Sequence, residues 1–502
     1  MANGIFSAGA RQLNDTPLVN NPIAGLNPQP VWKQFLQLTR IPRPSHHEAA
    51  VQEHVISIAQ SLGLEFVRDS LGNILIRKPA SPGMEQAPGV ILQGHLDMVP
   101  QANSDTRHDF TRDPIRARID REWVTASGTT LGADNGIGVA AALAVLEGHK
   151  LKHGPLEVLL TSNEEDGMTG AKGLSPDLLQ GTKLLNLDSE EEGLVCIGCA
   201  GGANVTSQLE YEPQPLPAGL ETLTLAITGL CGGHSGLDIH RGRGNANRLL
   251  ARLLTLAGEQ VHFRLAGFSG GNMRNAIPRE AAAGVVLEQA LVPRFTTLVE
   301  SLADQVRREY AATEGEMNIT LGVGESAESL LPEPLQQRLL DAITACPSGV
   351  VRMSDEMPDL VETSTNLSVV QIGNGMMEVR CLVRSSLDSA RDALCSELRS
   401  LFRLTGAESR IDGQYPGWQP NPDSRLLSHL GEAYRALFGT SLRIGAIHAG
   451  LECGVIGSRY PGLEMASLGP TIQNPHSPDE RLHIPSVQRF WDLLVATLGR
   501  LE

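Results

Sequence analysis

Two histidines and a set of carboxylates in this sequence each follow directly on a short apolar run. In GVILQGHLDMVP the run Val90 to Leu92 ends in Gly94, His95, Leu96 and Asp97. A strand repeats every two residues, so His95 and Asp97 face the same way. Asp97 can then reach the imidazole nitrogen that a metal on the other nitrogen leaves free. The same pair could also merely solvate a strand end. TTLGADNGIGVAAALAVLE places Asp134 in a glycine-bounded loop opening an apolar helix, where Asp134 or Asn135 would serve equally as a plain N-cap. LEVLLTSNEEDGMTGA sets Glu164 and Glu165 after a buried strand. Adjacent carboxylates point apart, so one can hold a metal while the other addresses water; a solvated acidic turn is the alternative. In KLLNLDSEEEG, Asp188 is nearest the strand, and Glu190, Glu191 and Glu192 read as solvated loop charges. LGPTIQNPHSPDERLHIPS holds His476 in a loop bracketed by prolines, and His483, at the edge of the next helix, reads as structural.

Together, His95, Asp134, Glu165, Asp188 and His476 make two imidazoles and three carboxylates, with Glu164 beside them. Such a mixed set suits zinc or a similar divalent first-row ion, and one bridging carboxylate would bring two ions to about 3.5 to 4 Å. The chemistry is hydrolytic. Two cations lower the pKa of a shared water toward neutrality and polarise a carbonyl, while Glu164 takes the water's proton and returns it to a leaving amine.

For these side chains to meet, the strands that carry them must end at one sheet edge. Helical periodicity over 31–40 and 47–63 is followed by apolar runs at 65–67, 74–77, 89–92, 156–160 and 184–187, with a helix over 136–146. That alternation predicts an α/β catalytic domain: a parallel-rich mixed sheet sandwiched by helices, with ligands at the carboxyl ends of the strands. From 202 to 397 the pattern changes. Amphipathic strands near 222–229, 262–267, 282–288, 317–322, 367–373 and 376–384 interleave with helices near 247–257, 293–310, 334–345 and 389–404, an inserted α+β domain. Residues 1–201 and 398–502 are then the first and second parts of the catalytic domain, to which a helix at 426–437, a strand at 462–468 and a helix at 486–501 return.

A chain of 502 residues has room for two to four folded units. Its 41 Lys+Arg against 57 Asp+Glu give −16, which repels phosphate backbones and anionic bilayers. Nucleic acid and membrane are therefore excluded as partners in favour of a cation or a small substrate. Seven scattered cysteines form no disulfide framework, and Cys196 and Cys199 read as buried structural thiols of a reducing compartment. The opening MANGIFSAGARQLNDTP has no basic and apolar leader pattern, which points to a soluble, cytoplasmic protein; 14–30 is irregular and rich in Asn and Pro.

The motifs GHLDMVP, GADNGIG, TSNEEDGMTGA, NLDSEEEG, GGHSG and NPHSPDE, in this order, resemble the co-catalytic metallopeptidases, the family that includes carboxypeptidase G, peptidase T, aminoacylase and carnosinase. The likeness spans nearly the whole chain and is strongest to the aminoacyl-histidine dipeptidase subgroup, which the 39, 31 and 23 residues separating His95, Asp134, Glu165 and Asp188 suit. The resemblance implies that Asp134 bridges two ions, with His95 and Asp188 on one and Glu165 and His476 on the other. It further implies that Asp97 orients His95, that Glu164 is the general base, and that the insertion is a lid in a homodimer. His234, in GLCGGHSGLDIHRGRGNAN, would approach the active site, often from the dimer partner, and help stabilise the oxyanion; on the residues alone it is a turn histidine. Asn275 in GGNMRNAIP, Arg384 in CLVRSS and Gly450 in HAGLECG would bind substrate. Arg384 could hold a terminal carboxylate by two parallel hydrogen bonds, although an ion pair on a lid strand is equally open from the residues. The implied activity is metal-dependent hydrolysis of unblocked dipeptides with C-terminal His, β-alanyl-histidine included. Zinc is the expected metal, and manganese or cobalt also fit the ligand set. A tripeptidase or an N-acyl-amino-acid hydrolase competes within the superfamily. A metal-binding scaffold without turnover competes from another class, but a scaffold has no use for Glu164 beside five ligands.

Overall fold

A computed structural model of the chain describes residues 21–325 and 327–501. The opening MANGIFSAGARQLNDTP and residues 14–20 of the irregular stretch lie outside the described residues. The chain divides into two compact units: Met1–Val195 with Asp423–Arg443 and Gly462–Glu502, and Cys196–Pro422 with Ile444–Pro461.

In the first unit, the alternating pattern folds into a mixed, parallel-rich sheet. Strand Leu156–Thr161 lies parallel to Val90–His95, which lies parallel to Lys183–Asn186, itself parallel to Glu464–Ser467. Ile74–Lys78 and then Glu65–Arg68 extend the sheet antiparallel beyond Leu156–Thr161. Opposing His95 with Thr161, Gln93 with Asn186 and Asn186 with Ser467, the register brings four carboxyl ends to one edge. A file of polar side chains inside these apolar strands holds it there. Gln93 Nε2 donates to Thr161 Oγ1 (3.3 Å), Asn186 Nδ2 to Gln93 Oε1 (2.6 Å), and Ser467 Oγ to Asn186 Oδ1. A slipped strand would leave these buried groups unpaired, at a cost of about 1–3 kcal/mol each.

Helix Ala133–Glu147, irregular at Asp134 and Asn135, is buried on every face from Gly136 to Leu146, as the unbroken apolar run there requires. Its tight seat depends on Gly138, where an added Cβ would strike the Leu187 carbonyl oxygen just ahead of Asp188. Gly138→Ala gains at most about 1 kcal/mol of helix propensity against an overpacking cost of about 1–3 kcal/mol, since a backbone carbonyl cannot swing aside. The variant should therefore melt at a lower temperature; an unchanged thermal midpoint would contradict this packing. Helices Arg425–Phe438 and Ile484–Leu498 complete the unit. A small antiparallel sheet, Ile472–Gln473, Arg481–His483, Trp123–Ala126 and Ala117–Asp120, ties the loop of His476 to the segment just ahead of Asp134.

The second unit is built on an antiparallel sheet. Its strands run in the order Asn318–Val323, Leu220–Thr228, Ala281–Glu288, Arg264–Gly270, Val361–Gly373, Met376–Ser385, Gly201–Glu210 and Glu408–Tyr415, with Gly349–Met353 paired beside Val361–Gly373. Amphipathic helices Ala246–Gly258, Val292–Glu309, Glu333–Ala345 and Asp388–Arg403 bury their apolar faces in its core. Because Glu408–Tyr415 pairs with Gly201–Glu210, which pairs with Met376–Ser385, the sheet draws 398–422 into this unit, past the 397 boundary expected from the sequence. Cys196 and Cys199 are buried, and burial pushes their thiols up to about 11 and about 12, so neither supplies a thiolate. Among the described residues no helix is long and apolar enough to cross a membrane.

Candidate metal centre

The carboxyl ends of the parallel strands deliver the polar groups to one place in the first unit. His95 ends its strand with Nε2 3.0 Å from Asp134 Oδ1 and 3.4 Å from Asp188 Oδ1. His476 Nε2 lies 3.0 Å from Asp134 Oδ2 and 3.0 Å from Glu165 Oε2. Asp134 thus turns one oxygen to each imidazole. His95, Asp134 and Asp188 offer three ligand atoms within 4.8 Å of one another, and so do Asp134, Glu165 and His476. Glu164 stands alongside, its carboxylate within the same distance of His95 and Glu165. His476 holds a left-handed backbone, φ 58°, which a bulky residue keeps only when its surroundings impose it.

Asp97, wholly buried, lies behind His95. Its Oδ1 is 3.4 Å from His95 Nδ1 and accepts from Glu164 N (3.0 Å), and its Oδ2 accepts from Glu165 N (3.2 Å) and Ser45 Oγ (2.8 Å). Against burial, these partners and His95 hold its carboxyl down to about 2. Asp97 therefore stays ionised; its main-chain carbonyl (3.2 Å) and Oδ1 both face His95 Nδ1, and its carboxylate holds the turn that presents the two glutamates.

The charges of the site call for a cation. Burial, with Asp134 and Glu165 nearby, pushes Asp188 up to about 7 despite His95. Burial and Asp134 also raise Glu165. Hydrogen bonds to Asp134 and Glu165 push His476 up to about 11. Burial opposes a charge on His95, but the carboxylates around it, Asp188 foremost, raise it well above its ordinary value. Asp134, by contrast, is lowered against its burial by hydrogen bonds to His476 and His95 and stays ionised; the protons held on the raised groups around it are ones that divalent cations would displace. Two buried oxygens, Glu165 Oε1 and Asp188 Oδ1, accept no hydrogen bond. Orphaned carboxylate oxygens beside imidazoles are the donor set that a pair of first-row ions takes.

Glu191 and Glu192 instead pair with Arg443 (2.6 Å) and Arg489 (2.9 Å), and His483 packs its ring on Trp123 at 4.8 Å. The remaining sequence candidates lie in the second unit. Arg384, 5 % exposed, donates to Tyr415 Oη (2.9 Å) and approaches Ser235 Oγ and His234 Nε2, each at 3.4 Å. His234 Nδ1 accepts from Gly236 N and Leu237 N, which leaves the ring proton on Nε2. Two donors, His234 Nε2 and Arg384 Nη2, then stand side by side, an arrangement that suits an anionic oxygen. Asn275 joins them through its carbonyl, which accepts from Ser235 N (2.8 Å). Gly450 lies two residues beyond His448, whose carbonyl a side chain at Gly236 would strike.

Three buried polar residues frame the metal centre, of which sequence reasoning missed Arg43 and Glu480 and gave Asn135 only as a possible N-cap. Asn135 Nδ2 donates to Leu187 O (2.7 Å). Arg43 donates to Leu96 O and Asp97 O (both 2.9 Å) and to Gly132 O. Glu480 accepts from the amides of residues 131–134. The only signal for Glu480 was its place in NPHSPDE, four residues after His476; for Arg43 it was a cation between two prolines.

An α/β sheet edge bearing two imidazoles and two carboxylates around a shared aspartate is the arrangement of a metallohydrolase. The chain belongs to peptidase family M20/M25/M40, whose family model matches residues 91–500. It is 48% identical over 479 residues to the cytosol non-specific dipeptidase of Escherichia coli (strain K12), covering 95% of this chain and 99% of that one. The crystal structure of aminoacylhistidine dipeptidase from Vibrio alginolyticus is similar with a TM-score of 0.87 and 46% identity, over 96% of this chain and 98% of that one. A tripeptidase from Staphylococcus aureus shares the fold alone, at a TM-score of 0.55 and 16% identity over 95% and 99% of the two chains.

Proposed function

We propose that this chain is a metal-dependent dipeptidase that hydrolyses unblocked dipeptides, with a preference for C-terminal histidine that includes β-alanyl-histidine. The observation that supports it most is the shared carboxylate of Asp134, 3.0 Å from His95 on one oxygen and 3.0 Å from His476 on the other. The near-full-length likeness to two dipeptidases gives the substrate class. In this reading His95, Asp134 and Asp188 hold one ion and Asp134, Glu165 and His476 the other. Zinc is the expected metal, with manganese or cobalt also suited to the donors. When bound, such ions polarise the scissile carbonyl and acidify the attacking water.

The chain's own residues do the rest. Glu164 takes the proton of the water and returns it to the leaving amine. Asp97 keeps His95 in the tautomer that turns Nε2 toward Asp134. Arg384 binds the terminal carboxylate through parallel donors, His234 donates from Nε2 to the oxyanion, and Asn275 and Gly450 line the substrate position. The first unit is the catalytic domain and the second the lid and dimerisation domain of a cytoplasmic homodimer without nucleic-acid or membrane partners.

The test is one preparation assayed for metal and for turnover on dipeptides, tripeptides and N-acetyl amino acids. Expected are two divalent ions per chain and fastest turnover on Xaa-His dipeptides. Preference for acetylated substrates, or for tripeptides, would overturn the dipeptidase reading, and metal uptake without any turnover would leave a scaffold.

A further inference from the structure

We propose that Glu480 is a positioning residue that fixes the bridging Asp134, an inference that rests on the metal-centre reading above. Its carboxylate, 1 % exposed, accepts four consecutive backbone hydrogen bonds. Oε2 takes Leu131 N (2.7 Å) and Gly132 N (2.9 Å), and Oε1 takes Ala133 N (2.7 Å) and Asp134 N (3.2 Å). These amides lie in the segment just ahead of the regular helix, since Asp134 (ψ 113°) and Asn135 leave the helical region, and buried N–H groups there need an acceptor from elsewhere in the chain.

A plain cap on these amides would explain that much. Three further observations tie Glu480 to the centre. One of the four amides is that of Asp134 itself. The loop that carries Glu480 also carries His476, whose Nε2 meets Asp134 Oδ2 at 3.0 Å, so residues 476–480 grip Asp134 by backbone and side chain together. From the other side the buried guanidinium of Arg43 donates to Gly132 O and to Leu96 O and Asp97 O, joining the same peptide to the strand end that bears His95. Gly132 fits this clamp because its φ of 69° suits glycine, and because a Cβ there would lie 2.7 Å from Met98 Sδ and 2.8 Å from Arg43 Nη2.

Glu480 is itself anchored. Its N–H donates to Ser477 O (2.9 Å), its carbonyl accepts from Thr125 Oγ1 (3.1 Å), and the next residue enters strand Arg481–His483. The carboxylate cannot follow a moving loop, so it dictates where the Asp134 oxygens stand. Glutamine at 480 would present one acceptor oxygen and turn its amide donors toward two N–H groups. Aspartate keeps the charge but is one methylene too short to reach both pairs of amides well.

The experiment measures zinc affinity of metal-depleted protein by competition with a chelator, in the absence of substrate. Glu480→Gln should weaken zinc binding roughly 10- to 100-fold, the range found for outer partners of metal ligands. At saturating zinc it should lower kcat on a dipeptide and leave KM nearly unchanged, and Glu480→Asp should recover part of the affinity. The control is Glu314 of the second unit, 3 % exposed, whose carboxylate likewise accepts backbone amides, Cys231 N and Gly244 N, both at 2.7 Å. Glu314→Gln should lower thermal stability and leave zinc affinity alone. Wild-type zinc affinity in Glu480→Gln, with only a lowered melting temperature, overturns the proposal and leaves a simple cap. If Glu480→Gln does not fold, Glu480→Asp decides by the same measurement: weakened zinc binding supports the proposal and wild-type binding overturns it. Failure of the wild-type chain to take up zinc would sink the metal-centre reading itself.

Discussion

Replacing Glu164 with glutamine should reduce kcat on a dipeptide by a factor on the order of 10² to 10⁴, the usual contribution of a general base. The substitution keeps shape and an acceptor oxygen but cannot take a proton from water. Glu164 belongs to neither of the two three-ligand groups built around Asp134, so zinc content should stay at the wild-type level. Asp97 fixes the backbone amides of Glu164 and Glu165, not the Glu164 carboxylate, so the turn should also keep its form. The combination is diagnostic: steady-state hydrolysis falls, while metal analysis of the same sample does not change. Hydrolysis at the wild-type rate would remove Glu164 from its role.

Asp134→Ala should have the opposite signature. Asp134 is the one residue common to both ligand groups, so its loss removes a charged donor from each at once. Metal affinity should drop further than the roughly 10- to 100-fold that an outer partner costs, and turnover should fall with occupancy. Asp188→Ala is the informative comparison. Asp188 belongs only to the group of His95, so that variant should keep one ion where Asp134→Ala keeps neither. Two ions per chain retained by Asp134→Ala, measured after dialysis at micromolar free zinc, would show that the carboxylate is not shared.

Three strand ends of the first unit, those of Val90–His95, Leu156–Thr161 and Lys183–Asn186, were legible because a histidine or carboxylate follows each apolar run, and in a parallel sheet such breaks fall on the same edge; Glu464–Ser467 carries no such mark. The helix predicted over 136–146 begins where regular helical backbone starts, because Asp134 and Asn135 ahead of it leave the helical region; the amides of residues 131–134 find their acceptor in Glu480, which is remote in sequence. Which of the neighbours Asp479 and Glu480 turns inward is decided by that distant loop and leaves no periodic trace in the chain. Arg43, the partner of Asn135 and the Gln93–Asn186–Ser467 file escaped for a related reason: local pattern marks a polar residue as exposed, whereas these find partners across strands. The small sheet that joins 117–126 to 472–483 has strands of two to four residues, too short for alternation to register. That 398–422 joins the second unit followed from pairing between strands some two hundred residues apart, a long-range choice that leaves no local mark in the chain.

The first unit is drawn from separate stretches of the polypeptide, and His476 and Glu480 come from the last of them. On the ribosome, His95, Asp134, Glu165 and Asp188 emerge long before the residues that close the centre around them, and a domain folds as a unit only once its chain is available. A nascent or prematurely terminated polypeptide that stops short of residue 476 therefore lacks both His476 and Glu480, and Asp134 is left without the partners that hold it from that side.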